Sequence, residues 1–417
     1  VNNISDKIWN AKNNPTPGSW NGGGNDEEVV RQESVGNVIE GSEKYFEFDS
    51  KINALFNKKF NADFDIDGLI GFNFNNRGSR VLYTGIEDLA IPGFYQIENS
   101  ANSPVSTQNS TERRLFGLYA SATLGYKSFA YLTLNARNDW SSTLPPDGRS
   151  YFYPGANLSV LLSQVVDLSS AKISLLKFRA AYGKTGSDTD PYRVFNTLTK
   201  TDVTLGFGNI TFPIDGVPAY SVSNTLNNQF LKPEISTEAE FGAELRFFDN
   251  RLGIDFSYYS RNTKDQILPI VSAPSTGVNF RVVNFGKVRN RGVEIALNGT
   301  PVKTDNFTWD IMYTFTRNRN MVLELPDGLD KVTINTAYDA QFVARVGQPL
   351  GLIEAPVAKL TPDGRTIVST TGFPVVAADL VSYGTRQRDF VMGLNNSIRY
   401  KDFTLGLVLD FKKGGVF

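Results

Sequence analysis

The stretch Phe403-Thr404-Leu405-Gly406-Leu407-Val408-Leu409-Asp410-Phe411 carries a large apolar side chain at every second position. Successive side chains of a strand point to opposite faces. Phe403, Leu405, Leu407, Leu409 and Phe411 therefore share one greasy face, and Thr404, Gly406, Val408 and Asp410 share a mostly small or polar one.

The same alternation recurs upstream. Phe307, Trp309, Ile311, Tyr313 and Phe315 oppose Thr308, Asp310, Thr314 and Thr316. Phe241, Ala243, Leu245 and Phe247 oppose Glu240, Gly242, Glu244 and Arg246, and Phe116, Leu118, Ala120, Ala122 and Leu124 oppose Gly117, Ser121 and Thr123. About twelve such segments emerge, each of about 10–14 residues; a membrane-crossing strand needs roughly 9–11, whereas soluble strands average about 5–6. The connections sort by length. Short ones fall near Asn57–Asn61, Tyr126–Ser128, Gln164–Ala171, Phe248–Asn250, Thr300–Asn306 and Tyr400–Asp402. Long ones fall near Asn75–Glu112, Trp140–Arg149, Lys184–Ile235, Asn262–Phe285 and Arg319–Arg388, alternating with the short ones. Short periplasmic turns and long extracellular loops have this order in outer-membrane barrels. The pattern predicts an all-β fold: a large antiparallel transmembrane β-barrel, with residues 1–42 an extracellular loop segment and residues 43–417 part of the barrel wall. On this reading both chain ends lie on the extracellular side. Open edges in lipid would leave backbone groups unpaired, so further strands are expected to close the barrel.

Composition narrows the function. The 417 residues contain no Cys and no His. That removes disulfides, thiolate and imidazole metal ligands, and the Ser-His or Cys-His nucleophile pairs of most hydrolases. A net charge of −1 offers nothing to nucleic acid. The longest apolar stretch, around Leu158–Val166, is broken by Ser159, Ser163 and Gln164, so no spanning helix is expected. No cofactor, metal or enzymatic activity is expected.

Local motifs carry a more specific signal. Asn135-Ala-Arg-Asn-Asp139-Trp-Ser-Ser142 is followed by Tyr151-Phe-Tyr-Pro154 and by Leu176-Lys-Phe-Arg-Ala-Ala-Tyr-Gly183-Lys-Thr-Gly186. Further on come Phe248-Asp-Asn-Arg-Leu252, Tyr258-Tyr-Ser-Arg-Asn-Thr-Lys-Asp265, Asn284-Phe-Gly-Lys-Val-Arg-Asn290-Arg-Gly-Val-Glu294 and Lys412-Lys-Gly-Gly415. From about Arg113 onward this succession resembles the barrel of SusC/RagA-type TonB-dependent outer-membrane transporters. Leu231-Lys-Pro-Glu234 matches a family segment only partly, lacking its Trp. The resemblance implies a barrel of about 22 strands around a plugged lumen, of which this chain is about half. No plug domain or TonB box is visible in these residues, and the resemblance implies that both would lie in an N-terminal part outside this sequence. It further implies import of oligosaccharides or peptides, a SusD-like surface lipoprotein as lid, coupling to the TonB complex through the missing N-terminal part, and a Bacteroidetes-type outer membrane. A second reading keeps the barrel and makes it a structural or interaction component of a larger envelope assembly, with the long loops as docking surfaces.

Loop aromatics are the candidate ligand contacts, because sugars and peptides stack on exposed rings and such groups gather on loops. Phe94, Tyr95, Tyr192, Phe207, Tyr220 and Tyr338 qualify. Three other motifs read as ordinary wall chemistry. Asp63-Phe-Asp-Ile-Asp67-Gly68 opens like a calcium loop but has Phe74 where a bidentate Glu is needed. Gly183-Lys-Thr185 lacks the earlier Gly of a phosphate loop and ends a strand. Glu238, Glu240 and Glu244 are spaced along one strand face, as expected for a charged lumen wall.

Overall fold

The computed structural model describes residues 2–10, 36–91, 93–200, 203–205, 208–210, 212–326 and 329–416. One large sheet dominates. Its strands, in chain order, are β1 (Asn2–Asn10), β2 (Asn37–Lys59), β3 (Phe64–Glu87), β4 (Val105–Tyr126), β5 (Ala130–Ser141), β6 (Ser150–Leu161), β7 (Ile173–Ser187), β8 (Glu234–Phe247), β9 (Leu252–Val271), β10 (Phe280–Lys303), β11 (Phe307–Glu324), β12 (Phe390–Tyr400) and β13 (Phe403–Lys413). Spatial order follows chain order throughout, and the short strand Thr225–Leu226 joins β10 in parallel. This is an antiparallel meander, in which each hairpin satisfies the backbone groups of the one before.

The twelve segments read from alternation correspond to β2–β13, but several strands are longer than expected. β3 and β10 each have 24 residues, β2 has 23, and β9 has 20. Residues assigned to long loops over 75–112 and 262–285 are therefore largely strand, and the β9–β10 link shrinks to residues 272–279. The region 1–42, expected to be a loop, includes β1, which pairs with Asn37–Tyr45. The physical reason is common to all of them: a hairpin that extends beyond the membrane is wetted on both faces, so its sequence loses the contrast that marks a strand. The separation of loop lengths is looser as well, since the 162–172 turn, with two short 3-10 turns, is longer than the 272–279 link. The β4–β5 turn obeys its local chemistry. Lys127 and Ser128 both take positive φ (46° and 58°), the geometry that suits a two-residue hairpin connection.

The chain divides into two compact units. The first comprises Val1–Lys51 and Asn73–Phe116. Its core is Val38, Ile86 and Leu89, with Tyr95 and Ile97 packed against them. Buried Asn99 shapes the β3–β4 loop: its amide donates to the Ile91 carbonyl (2.8 Å) and the Phe94 carbonyl (2.6 Å), and its oxygen accepts from the Ile91 N–H (2.9 Å).

The second unit comprises Ile52–Phe72 and Gly117–Phe417. On its strands the apolar positions stand uncovered: Leu118, Leu134, Phe152, Phe178, Phe241 and Tyr258 are 40–60% exposed and share one face. A row of large exposed hydrophobics at alternate positions suits lipid and nothing aqueous. The buried clusters lie instead near the long connections. One joins Ile270, Phe285, Val288 and Val322 to Val332 and Ala344. The other joins Leu144, Tyr151, Val194, Leu231 and Val282. Gly286 makes the first possible. It sits at a register shift between β10 and β11 with φ +31°, and a Cβ there would lie 1.9 Å from the Glu324 carbonyl oxygen.

Between β11 and β12 lies a separate four-stranded sheet, Lys331–Ala337, Ala340–Arg345, Leu352–Ala355 and Val381–Thr385. Buried Glu354 ties it together, accepting from Lys331 Nζ and from Arg345 Nη2 (2.7 Å). Burial alone would push the Glu354 carboxyl up, but hydrogen bonds from Lys331 and Arg345, aided by their charges, outweigh it and hold the group below its ordinary value of 4.5. A carboxyl with a depressed folded pKa contributes stability above its unfolded pKa and loses that contribution as pH falls through the folded one. Amide exchange over residues 331–355 should therefore quicken as pH falls below 4.5, after correction for intrinsic rates. Glu354→Gln should flatten that dependence and start from a looser sheet.

Candidate functional site

The polar face of β3–β9 in the second unit forms a cleft of ≈ 540 Å³ bordered by Tyr119, Asn135, Arg137, Tyr153, Lys184 and Glu238, with Glu240 and Arg261 further along. Register explains the gathering. Arg137 faces Tyr153 across β5–β6, and Glu238 faces both Gly183 on β7 and Arg261 on β9. The charges are matched across strands. Arg179 holds Asp255 with two hydrogen bonds (2.9 and 2.6 Å), also donates to the Ser257 hydroxyl, and stands 3.7 Å from Glu240. Arg261 pairs with Glu238, and Arg246 with Glu244 at 2.6 Å. The row of glutamates is thus a set of half-exposed ion pairs, worth about 0–1 kcal/mol each, rather than a pair of carboxyls poised for acid–base work.

Towards the long-loop end the wall tightens. Asp139 is 4% exposed and accepts from Arg137 Nε (2.8 Å) and from the Tyr153 hydroxyl, while the Arg137 guanidinium lies 5.2 Å from the Tyr119 ring centre. Just beyond it, Ser141 and Thr143 donate to Asp188, the latter at 3.0 Å. Asn284 pins the β7–β8 connection, accepting from the Lys232 N–H (3.0 Å) and donating to the carbonyls of Lys232 (2.8 Å) and Asp265 (2.9 Å). These polar anchors fix where the long loops leave the wall. Most lie inside the quoted motifs, so their positions were legible, but their partners were not.

The six loop aromatics fall on three different connections of the chain. Phe94 is exposed on the β3–β4 loop, next to Tyr95, which is half-buried against Val38, Ile86 and Leu89 and so packs the loop. Tyr192 and Tyr220 are exposed on the β7–β8 connection; Tyr192 has φ +66° and its carbonyl accepts from Asn227 Nδ2 (3.1 Å), and Tyr220 opens a short strand paired with Leu198–Lys200. Tyr338 is fully exposed at the tip of the 331–345 hairpin. Phe207 lies outside the described residues. Among the described residues, no group of three or more Asp or Glu side chains is placed to hold a metal ion.

Residues 5–411 match the family described as TonB dependent receptor-like, beta-barrel. The chain belongs to this family. TonB-dependent receptor P3 of Formosa agariphila is 26% identical over 409 residues, covering 90% of this chain and 40% of the relative. TonB-dependent receptor SusC of Bacteroides thetaiotaomicron is 26% identical over 298 residues, covering 66% of this chain and 29% of SusC. The RagAB peptide importer in its closed-closed state superposes with a TM-score of 0.77 over 98% of this chain and 44% of that one, at 16% identity. The SusC/RagA resemblance and the β-barrel fold are thereby borne out. The relatives are receptors, not enzymes. The chain spans about two-fifths of the length of receptor P3. Within a TonB-dependent receptor barrel the exposed apolar face meets lipid and the charged cleft faces the lumen.

Proposed function

We propose that the full-length protein is a TonB-dependent importer in a Bacteroidetes-type outer membrane, taking up oligosaccharides or peptides through a plugged barrel beneath a SusD-like lipoprotein lid. The observation that carries this reading is the family match over residues 5–411. The lumen wall supports it: paired charges of both signs give a water-filled path that neither traps nor excludes a polar solute by net field. The structure that superposes on this chain is named a peptide importer, which supports the peptide part of the substrate class; the oligosaccharide alternative and the lipoprotein lid follow from the SusC/RagA resemblance of the sequence motifs. Exposed Phe94, Tyr192, Tyr220 and Tyr338 are proposed as stacking surfaces on the loops through which substrate enters.

The test is uptake by cells carrying the full-length gene, with labelled oligopeptide and oligosaccharide pools, in TonB-competent and TonB-null strains. One pool should accumulate only with TonB, and a surface lipoprotein should purify with the barrel. Equal accumulation in both strains would remove the energy-coupled mechanism. Purification of the barrel with no lipoprotein would remove the lid.

A further inference from the structure

The lipid-facing side of the second unit is broken at the foot of three neighbouring strands. At the short-turn end of β9–β11 a groove of ≈ 490 Å³ opens, walled by Leu252, Leu297, Ile311 and Tyr313, floored by Gly299, and rimmed by Arg251. Its size falls in the range of about 300–1,000 Å³ typical of clefts that hold small ligands. The sequence builds it by two local devices. The β10–β11 register shifts between Gly299 and Val302, placing one extra residue on β10, and Pro301, which has no N–H for a ladder, sits in the bulge. Gly299 then leaves a space on the outward face: a Cβ there would point into the groove, 3.8 Å from both Ile311 Cγ2 and Leu252 Cδ1.

Arg251 sets the chemistry of the rim. It is exposed, and its Nη2 is anchored to the Thr300 (3.3 Å) and Pro301 (3.2 Å) carbonyls. Nε and Nη1 donate to nothing among the described residues, so the guanidinium is held in place with donors to spare. Lys172 adds a second cation beside the groove, 5.9 Å from the Phe248 ring, and Phe248 is part of the lining. Two carboxylates lie close in sequence: Asp249 in the same turn, and Asp310, which faces the other side of β11 and takes the Thr300 hydroxyl (2.6 Å). An apolar slot open to lipid, with a fixed guanidinium at the headgroup level, matches a fatty-acyl chain beneath a phosphate.

We propose that this groove is a binding site for one anionic phospholipid of the periplasmic leaflet. The short-turn end of the strands selects the leaflet. The acyl chain lies along Leu252, Leu297 and Ile311, and the phosphodiester accepts hydrogen bonds from Arg251, with Lys172 near the headgroup. Selectivity comes from the head, because neighbouring lipid tails are as apolar as the groove itself. The site rests on the barrel fold and is independent of what the protein transports.

The test is native mass spectrometry of the full-length protein released from nanodiscs of equal parts phosphatidylglycerol and phosphatidylcholine, with competition by lipid A. The wild type should retain one phosphatidylglycerol with a preference of about fivefold or more, the factor that a cation near a lipid surface gives. Arg251→Gln should reduce that preference towards parity. Gly299→Leu, whose Cβ meets only ordinary contacts, should fill the groove and lose the retained lipid of either head. Both variants should keep the heat-modifiable migration of a folded barrel; Arg251→Lys, which keeps the charge, should retain part of the preference and serves as a check if the Gln variant folds poorly. Equal retention of the two lipids by the wild type, retained preference in Arg251→Gln, or capture of lipid A in place of phosphatidylglycerol would each overturn the assignment.

Discussion

Phe285→Ala should release the four-stranded sheet between β11 and β12 from the strands it packs on, at a cost of about 3–5 kcal/mol. Phe285 is fully buried, where Ile270 of β9, Val288 of β10 and Val322 of β11 meet Val332 and Ala344 of the small sheet. It is the largest of the side chains buried there, and Gly286 beside it fixes the backbone so tightly against Glu324 that the site has little freedom to collapse around a cavity. The loss should be local. Backbone ladders between β9, β10 and β11 do not depend on this ring, and the membrane-facing residues of those strands lie further along each of them. Limited proteolysis within residues 325–389 should therefore quicken by roughly a hundredfold or more, at 1.4 kcal/mol per tenfold, while heat-modifiable migration stays that of a folded barrel. Phe241→Ala, on the exposed apolar face, should leave that cleavage rate unchanged. A hundredfold change in Phe241→Ala as well would mean that the small sheet is coupled to the whole barrel and not docked by this cluster.

How much of this was legible follows from where each residue's solvents lie. Phe403–Phe411 and Phe307–Phe315 show their strands openly because lipid on one side and water on the other demand opposite side chains at successive positions. The outer halves of β3 and β10 meet water on both sides, so Asn75, Asn76 and Arg77 read as loop although they continue a strand. The small sheet was hidden for another reason: its strands have seven residues or fewer, too short for a periodic signal, and Val332 and Ala344 share their buried cluster with Phe285, far away in sequence.

The site was legible by chemistry more than by place. Ring type and loop position nominated Tyr95, yet it packs on Val38 and Leu89, and nothing in a single sequence separates a stacking ring from a packing one. The family motifs pointed to the right residues without saying why. Asn284 ties two connections together, Gly286 lets β11 approach, and Asn290 accepts from both Asn318 and Asn320 (3.0 Å each). Each of these roles depends on cross-strand register, which alternation alone does not set.

Asp139→Ala should be the most damaging single change on the lumen wall, at about 3 kcal/mol, because removing one partner of a buried ion pair strands the other. Asp139 is buried beneath Arg137 and Tyr153, and Gly117 on the neighbouring strand leaves the room they need: a Cβ there would fall 2.4 Å from Arg137 Nη2 and 2.6 Å from Asp139 Oδ1. The lower end of the buried-pair range applies, since Arg137 retains 27% side-chain exposure and water can reach it. Tyr153→Phe removes only a charge-assisted hydrogen bond and should cost about half as much. The consequence reaches the loops through the next residues of the same strand, for Ser141 and Thr143 hold Asp188 at the start of the β7–β8 connection. Amide exchange near residues 141–144 and 188–194 should therefore rise in Asp139→Ala and much less in Tyr153→Phe, with urea midpoints ordered the same way. If Arg137→Met in the Asp139→Ala background restores the midpoint, the stranded guanidinium is the source of the damage. If it lowers the midpoint further, Arg137 is held by the Tyr119 ring in its own right, and the carboxylate is only one of two anchors for that side chain.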